Sequence, residues 1–159
     1  MTLPESLDSG SVKKRKIIAI GLICVTLLTG CGANFQISAS DLEKYAEDNS
    51  AVYSDMSDSY TESNNYIDGL YVMNKEDVHV ELWDLDSTEN ASKWFENNVE
   101  SLKGDSKSNS GNSTASGGNY TITTDDMVYR ILFSENKGIF AYGDTKDSVN
   151  EVLTELNIE

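Results

Sequence analysis

Histidine, cysteine, proline and basic side chains are scarce in this 159-residue sequence. Their scarcity limits the kinds of catalytic and metal-binding site that the protein can form. His79 is the only histidine, so zinc ligation or a Ser-His-Asp triad would depend on it alone. The sequence also lacks a Gly-x-Ser-x-Gly elbow and a glycine-rich phosphate loop after a strand. No catalytic constellation is therefore found, which favours a binding protein over an enzyme.

The shortage of basic residues gives the chain a large negative charge. It has 12 Lys and Arg against 27 Asp and Glu, a net charge of −15. Residues 31–159 hold 8 of these basic and 25 of these acidic residues, so their net charge is −17. Such a charge disfavours nucleic acid as a partner. The acids are dispersed, so solubility outside the cell explains them better than attraction of cations or basic partners.

The one long apolar run lies near the N-terminus. Residues 13–16 read KKRK, residues 17–28 are mostly apolar, and Thr29 and Gly30 lead to Cys31. This order is that of a secretory signal peptide, and the run is shorter than the roughly 20 residues that span a bilayer. We therefore predict a signal peptide over residues 1–30.

The segment Leu28-Thr29-Gly30-Cys31 resembles the lipobox of bacterial lipoproteins. In that family a diacylglycerol is joined to the cysteine thiol, and cleavage leaves the cysteine as the mature N-terminus. The resemblance implies lipidation at Cys31 and a location on the cell membrane, facing outside the cytoplasm. Two acyl chains suffice for stable attachment. An acylated Cys31 leaves no cysteine for a disulfide framework or for thiol chemistry.

The rest of the sequence predicts a lipidated tether over residues 31–38 and one α+β domain over residues 39–159. Two capping boxes, Ser40 with Glu43 and Asp86 with Glu89, predict helix starts, and a third amphipathic helix ends the chain. Alternating apolar residues predict strands over residues 66–73, 78–85, 120–124, 127–134 and 138–143. The order α-β-β-α-β-β-β-α indicates an antiparallel sheet of about five strands with the helices packed on one face.

Residues 104–119 read GDSKSNSGNSTASGGN. The segment contains no apolar side chain larger than alanine, and its composition is that of a flexible Gly/Ser linker. We therefore expect a flexible loop over residues 104–119, between the second helix and the third strand.

This arrangement resembles a broad group of small, functionally uncharacterised lipoproteins of Gram-positive bacteria, mostly clostridial. Their Ala-x-x-x-Phe helix after a strand is matched by residues 91–95. Their Tyr/Arg strand and Asn-x-hydrophobic hairpin are matched loosely by Tyr129, Arg130, Asn136 and Ile139. The resemblance covers most of residues 38–159 and implies an extracytoplasmic lipoprotein, with no particular activity.

Three carboxylates, Asp84, Asp86 and Glu89, lie close together in the sequence at a strand-to-helix junction. An oxygen-rich cluster of this kind could hold Ca²⁺, although the glycine and closing acid of an EF-hand loop are absent. The alternative is structural: Asp86 would cap the helix, and Glu89 would complete the capping box and interact with the helix dipole.

Arg130 lies in an otherwise apolar strand, where a guanidinium requires a polar partner. The structural interpretation is an ion pair on the open sheet face with Glu81. The functional interpretation is an anion-binding group in a groove beside Trp83, Tyr71 or Tyr142.

The leading hypothesis is therefore a non-catalytic, membrane-anchored binding or interaction module for a protein or small extracellular ligand, with no cofactor. The alternative is a secreted calcium-dependent hydrolase, or a calcium-binding protein, that uses the acidic cluster. A third hypothesis is a spacing or assembly role in the cell envelope without any ligand.

Overall fold

The computed structural model describes residues 33–62 and 64–158. The predicted signal peptide and the predicted lipidation site at Cys31 lie outside the described residues. The elements in chain order are α1 Ala39–Asp48, β1 Val52–Asp55, α2 Ser57–Thr61, β2 Ile67–Lys75, β3 Val78–Leu85, α3 Thr88–Lys103, β4 Ser108–Ser113, β5 Gly117–Thr123, β6 Val128–Ser134, β7 Lys137–Gly143 and α4 Lys146–Glu155.

The strands form one antiparallel sheet in the order β1-β2-β3-β7-β6-β5-β4. Two-residue loops join β2 to β3 and β6 to β7, and their first residues, Glu76 and Glu135, have φ of 52° and 55°. A positive φ in such a loop matches the twist of the flanking strands and holds the hairpin together. The α+β class and the antiparallel sheet are confirmed. Within the described residues the sheet has seven strands instead of the predicted five or so, because β1 and β4 add its two edges. Helix α2 is a further short element that was not predicted.

The helices cover both faces of the sheet, so the prediction that they all pack on one face is wrong. Helices α1 and α4 pack on the face formed by Val80, Leu82 and Leu132, whereas α3 packs on the opposite face against Ile131 and Phe133. Ile131, Leu132 and Phe133 are consecutive in β6 and all have 0% exposure. Successive strand residues point to opposite faces, so such a run requires an apolar cover on each side. We call the two sides the α1/α4 face and the α3 face.

Two glycines bring α3 close to the sheet. A Cβ atom at Gly138 would lie 2.5 Å from Cζ3 of Trp94, and one at Gly118 would lie 2.9 Å from Cζ of Phe95. Real Cβ atoms do not approach ring carbons so closely. The absence of a side chain at these positions therefore lets the aromatic side of α3 pack directly on the strands.

The predicted tether is wrong over residues 33–38, because this segment is part of the domain. Ala33, Phe35 and Ile37 are 7%, 4% and 4% exposed and pack in the core of the α1/α4 face. Helix α1 also starts earlier than predicted. Ser38, not Ser40, is its N-cap, with Ser38 N–H donating to Asp41 Oδ2 at 2.9 Å and Asp41 N–H donating to Ser38 Oγ at 3.2 Å. Both cores are thus built from residues 33–158.

The predicted flexible loop over residues 104–119 is also wrong, because it contains β4 and the start of β5. Every residue of β4 is exposed, so this edge strand needs no apolar side chain and is held by backbone hydrogen bonds to β5. Side-chain contacts add to the pairing: the Tyr120 hydroxyl donates to Asn109 Oδ1 at 3.0 Å, and Gly111 lies directly under the Tyr120 ring.

No helix in the described part of the chain is both long and apolar enough to cross a membrane.

Candidate functional site

The structure does not bring the acidic cluster together. Each carboxylate accepts a hydrogen bond from its own partner: Asp84 from Lys137 at 2.5 Å, Asp86 from Asn90 at 2.7 Å and Glu89 from Lys93 at 2.6 Å. These bonds from Asn90 and Lys93 are the main reason that the pKa values of Asp86 and Glu89 lie below their usual range. Within residues 33–62 and 64–158, no three or more His, Cys, Asp or Glu side chains form a group that could hold a metal ion.

The expected structural role of this cluster is also only partly correct. The N-cap of α3 is Ser87, whose hydroxyl accepts the Asn90 N–H at 3.3 Å, and Asp86 instead binds side chains next to the cap. Glu89 lies in the first turn of α3, where a negative charge is favourable, and pairs with Lys93 along the exposed helix surface.

The expected ion pair between Arg130 and Glu81 does not form, because the two residues lie on opposite faces of the sheet. Arg130 pairs with Ala141 of β7, and Ala141 pairs with Val80 of β3. Residues paired directly across strands share a face, so Arg130 is on the α1/α4 face with Val80. Glu81 is the next residue of β3 and therefore points to the α3 face.

The partners of Arg130 are neutral amides. Its Nη1 donates to Asn150 Oδ1 of α4, and its Nη2 donates to Asn119 Oδ1 of β5 at 3.2 Å. Its Nε is buried without a hydrogen-bond partner among the described residues, and burial lowers the pKa of the guanidinium. A buried donor without an acceptor costs about 1–3 kcal/mol. Arg130 is therefore a cation without a compensating carboxylate.

A cluster of partly buried aromatic side chains lies on the α3 face, next to the core that α3 covers: the ring centroids of Trp83 and Trp94 of α3 are 5.9 Å apart. It consists of His79, Trp83, Tyr129, Phe140 and Tyr142, with Glu81 among them, and we call it the aromatic patch. Cross-strand register creates it: His79 pairs with Tyr142, which pairs with Tyr129, in three adjacent strands.

Ring stacking holds the patch together. The ring centroids of His79 and Tyr142 are 4.6 Å apart with an interplanar angle of 25°, a stacked arrangement. Tyr129 lies 5.8 Å from Tyr142 and 6.0 Å from Phe140, within the range of favourable aromatic pairs. Trp83 is in edge contact with Tyr60 of α2, at 5.6 Å. All the patch side chains are partly exposed, so their outer surfaces face solvent.

Glu81 connects the polar atoms of the patch. Its Oε2 accepts the Trp83 Nε1–H at 2.8 Å, and its Oε1 is 3.0 Å from His79 Nε2. The other ring nitrogen of His79 is 2.7 Å from Asn74 Oδ1. Burial, followed by the charge of Glu81 and the nearby Tyr129, raises the pKa of Tyr142. The carboxylate therefore fixes the orientations of both the imidazole and the indole.

The four ligand-binding candidates from the sequence divide between the two faces. Trp83 and Tyr142 lie in the aromatic patch, and the predicted common face of His79, Glu81 and Trp83 is confirmed. Arg130 lies on the α1/α4 face, as does Tyr71, whose ring covers Gly69 and packs against the core of that face. No single groove therefore contains all four.

Tyr129 and Phe140 belong to the patch but were not among the predicted ligand-binding residues. The alternation of β6 placed Tyr129 with Ile131 and Phe133, so its face was readable from the sequence. Its place beside His79 was not, because Tyr142, its partner across the β6–β7 hairpin, is paired in turn with His79, which lies 142 − 79 = 63 positions earlier in the chain.

The sequence matches no protein-family model and no curated protein. Among solved structures, the chain is similar to a protein from Thermotoga maritima whose crystal structure is described as that of a GTP binding regulator. The identity is 14%, the match covers 80% of this chain and 93% of the other, and the TM-score is 0.49. This likeness assigns no function.

Proposed function

We propose that this protein is a lipid-anchored lipoprotein on the outer side of the cell membrane, and that it acts as a binding module through the aromatic patch. The KKRK region, the apolar run and the Leu-Thr-Gly-Cys sequence support the location. The stacked His79–Tyr142 pair beside the hydrogen-bonded Glu81 supports the binding role, and it is the observation that carries the proposal.

The patch is ordered before any ligand arrives. Stacking fixes His79 on Tyr142, and Glu81 holds both His79 and Trp83 through its two carboxylate oxygens. Side chains that are already immobilised lose little conformational entropy on binding, which favours affinity. The other rings of the patch are tilted by 40° to 70° to one another, so this preorganised cluster suits a small group that contacts several ring surfaces at once.

Charge selects the class of ligand. The faces of aromatic rings attract cations, and the patch includes the carboxylate of Glu81. The net charge of −17 over residues 31–159 raises the local concentration of cations around the domain. The ligand is therefore a cationic group, an ammonium or guanidinium, carried by a small extracellular molecule or by a Lys or Arg side chain of a protein partner.

Fluorescence titration of residues 32–159 tests this proposal, because Trp83 belongs to the patch and the other tryptophan, Trp94, has its ring centroid only 5.9 Å from that of Trp83. Tetramethylammonium and arginine amide are the cationic probes, and N-acetylglucosamine is the neutral one. We expect a saturable change in tryptophan emission with the cations, weakened by 0.5 M salt, and a much smaller change with the sugar.

Two variants test whether the fluorescence change arises from binding at the aromatic patch. Tyr142→Ala removes the ring that stacks on His79 and should abolish the response, whereas Tyr66→Ala removes an exposed tyrosine outside the patch and should leave it unchanged. A response to the neutral sugar alone would refute the cationic ligand. The absence of any response, or an equal loss in both variants, would refute the patch as a binding surface and favour an assembly role.

A further inference from the structure

A second surface, on the opposite face of the sheet, is polar throughout. The register of β4, β5 and β6 places six hydroxyl or amide side chains beside Arg130: Ser108, Ser110, Asn112, Asn119, Thr121 and Thr123. Helix α4 packs on β3, β6 and β7, and among the described residues no helix packs over β4 or β5 on this side. We call this surface, together with Arg130 and Asn150, the polar platform.

Arg130 stands out from the other basic residues. Six lysines among the described residues form ion pairs: Lys44, Lys75, Lys93, Lys103, Lys107 and Lys137. Lys146 is exposed, so water compensates its charge. Arg130 is partly buried and meets only amide oxygens, even though the chain is rich in acids. Among the basic residues of the described domain, Arg130 is therefore the one that is both poorly solvated and without a negatively charged partner.

The side chains around Arg130 contribute hydrogen-bond donors to the polar platform. Asn119 and Asn150 turn their Oδ1 atoms toward the guanidinium, so their NH₂ groups point away from it. Neither NH₂ group donates to another described residue. Thr121, the direct cross-strand partner of Arg130, adds a hydroxyl. Guanidinium, amide N–H and hydroxyl groups together form a set of donors that matches an anion.

We propose that the polar platform binds a carboxylate-bearing ligand, with Arg130 as the anion receptor and Asn119, Asn150 and Thr121 as the flanking donors. A planar carboxylate fits the fork of a guanidinium. A monoanion also matches its single charge, whereas the negative field of the domain repels a phosphate dianion more strongly. This site is independent of the aromatic patch, which lies on the other face.

Two sources could supply the carboxylate, and matched probes distinguish them. Glucuronate represents an acidic sugar, and glucose is its neutral counterpart. N-acetylalanine represents the end of a peptide chain, and inorganic phosphate represents the competing anion. Each is added to residues 32–159 at millimolar concentration, and the thermal midpoint is recorded together with the amide NMR shifts of Asn119, Thr121 and Asn150.

We expect glucuronate, N-acetylalanine or both to raise the midpoint and to shift these three amides, with no effect of glucose. A response to only one carboxylate identifies the source. A response to phosphate alone, or to none of the probes, overturns the proposal.

The variant Asn150→Asp tests whether Arg130 binds a ligand or has only a structural role. It places a carboxylate beside Arg130, so the ligand-free midpoint should rise while the response to the probes is lost. Asn97→Asp, which adds the same charge on the exposed side of α3, should keep the response. A response that persists in Asn150→Asp would refute Arg130 as the receptor. Asn150→Asp keeps the guanidinium, so the test needs no substitution of Arg130 itself, which would leave the Oδ1 atoms of Asn119 and Asn150 without their donor.

Discussion

Gly138→Ala is the sharpest test of how α3 sits on the sheet. The added Cβ would lie 2.5, 2.7 and 2.9 Å from three atoms of the Trp94 ring, which is buried between α3 and β7. The ring is rigid and belongs to a packed core, so the clash requires movement of the helix or the strand. Overpacking of this kind costs about 1–3 kcal/mol of the free energy of unfolding.

Urea denaturation followed by circular dichroism measures this loss. With a slope of about 2 kcal/mol per molar urea, a cost of about 2 kcal/mol lowers the midpoint by about 1 M. Gly104→Ala is the matched control, because nothing lies within 4 Å of a Cβ at Gly104 and its φ is −62°. That change should be neutral or stabilising by up to about 1 kcal/mol, since alanine restricts the unfolded chain.

A double-mutant cycle with Trp94→Leu assigns the cause. A smaller side chain at position 94 removes the ring that Gly138→Ala would strike, so the cost of the double variant should be less than the sum of the single costs. The reasoning is refuted if Gly138→Ala has the stability of the wild-type protein. It is also refuted if the two costs simply add.

Three further predictions concern other parts of the fold. Phe35→Ala should lower the free energy of unfolding by about 3–5 kcal/mol in urea denaturation, because the ring is buried in the core; a free tether there would show almost no change. Gly111→Val should remove the hydrogen-exchange protection of β4, because a Cβ at Gly111 would lie 2.3 Å from the Asn119 carbonyl oxygen; retained protection would contradict the β4–β5 pairing. The hydrogen bonds from Ser38 lower the pKa of Asp41 below its ordinary 3.8, so Asp41 stabilises the fold above that pH and loses this contribution as the pH falls through the lower, folded value. Asp41→Asn should therefore reduce the stability at pH 7, by a modest amount at this exposed site, and abolish this part of the acid dependence, as measured by urea unfolding at pH 7 and pH 3.

The sequence predicted the strands whose side chains alternate. In β3, Val80 and Leu82 face one core while His79, Glu81 and Trp83 face the other side, as expected. Alternation was informative there because a buried face requires apolar residues. The same rule could not reveal β4, whose side chains are all exposed and whose pairing depends on the backbone.

The candidate site was only partly predictable, for a different reason. Alternation assigns a residue to one face of its own strand, but it does not show which faces of two distant strands coincide. Arg130 and Glu81 were therefore expected to meet, although the β6–β7–β3 register places them on opposite sides. The start of α1 was predicted at Ser40, with Glu43 three residues on, but Ser38 and Asp41 have the same spacing and form the actual cap.

The packing of Ala33 also limits the distance and orientation of the domain relative to a membrane. Gly32 alone separates Ala33 from Cys31, and Ala33 lies against Gly117, at the end of the sheet where β5 begins and β6 ends. With Cys31 lipidated as proposed, that end is held next to the headgroups. The His79–Tyr142–Tyr129 row lies five residues farther along β6, or about 17 Å at 3.3–3.4 Å per residue. The distance of the aromatic patch from the bilayer is then set by the folded domain and not by a flexible tether. That distance determines which molecules can reach the patch.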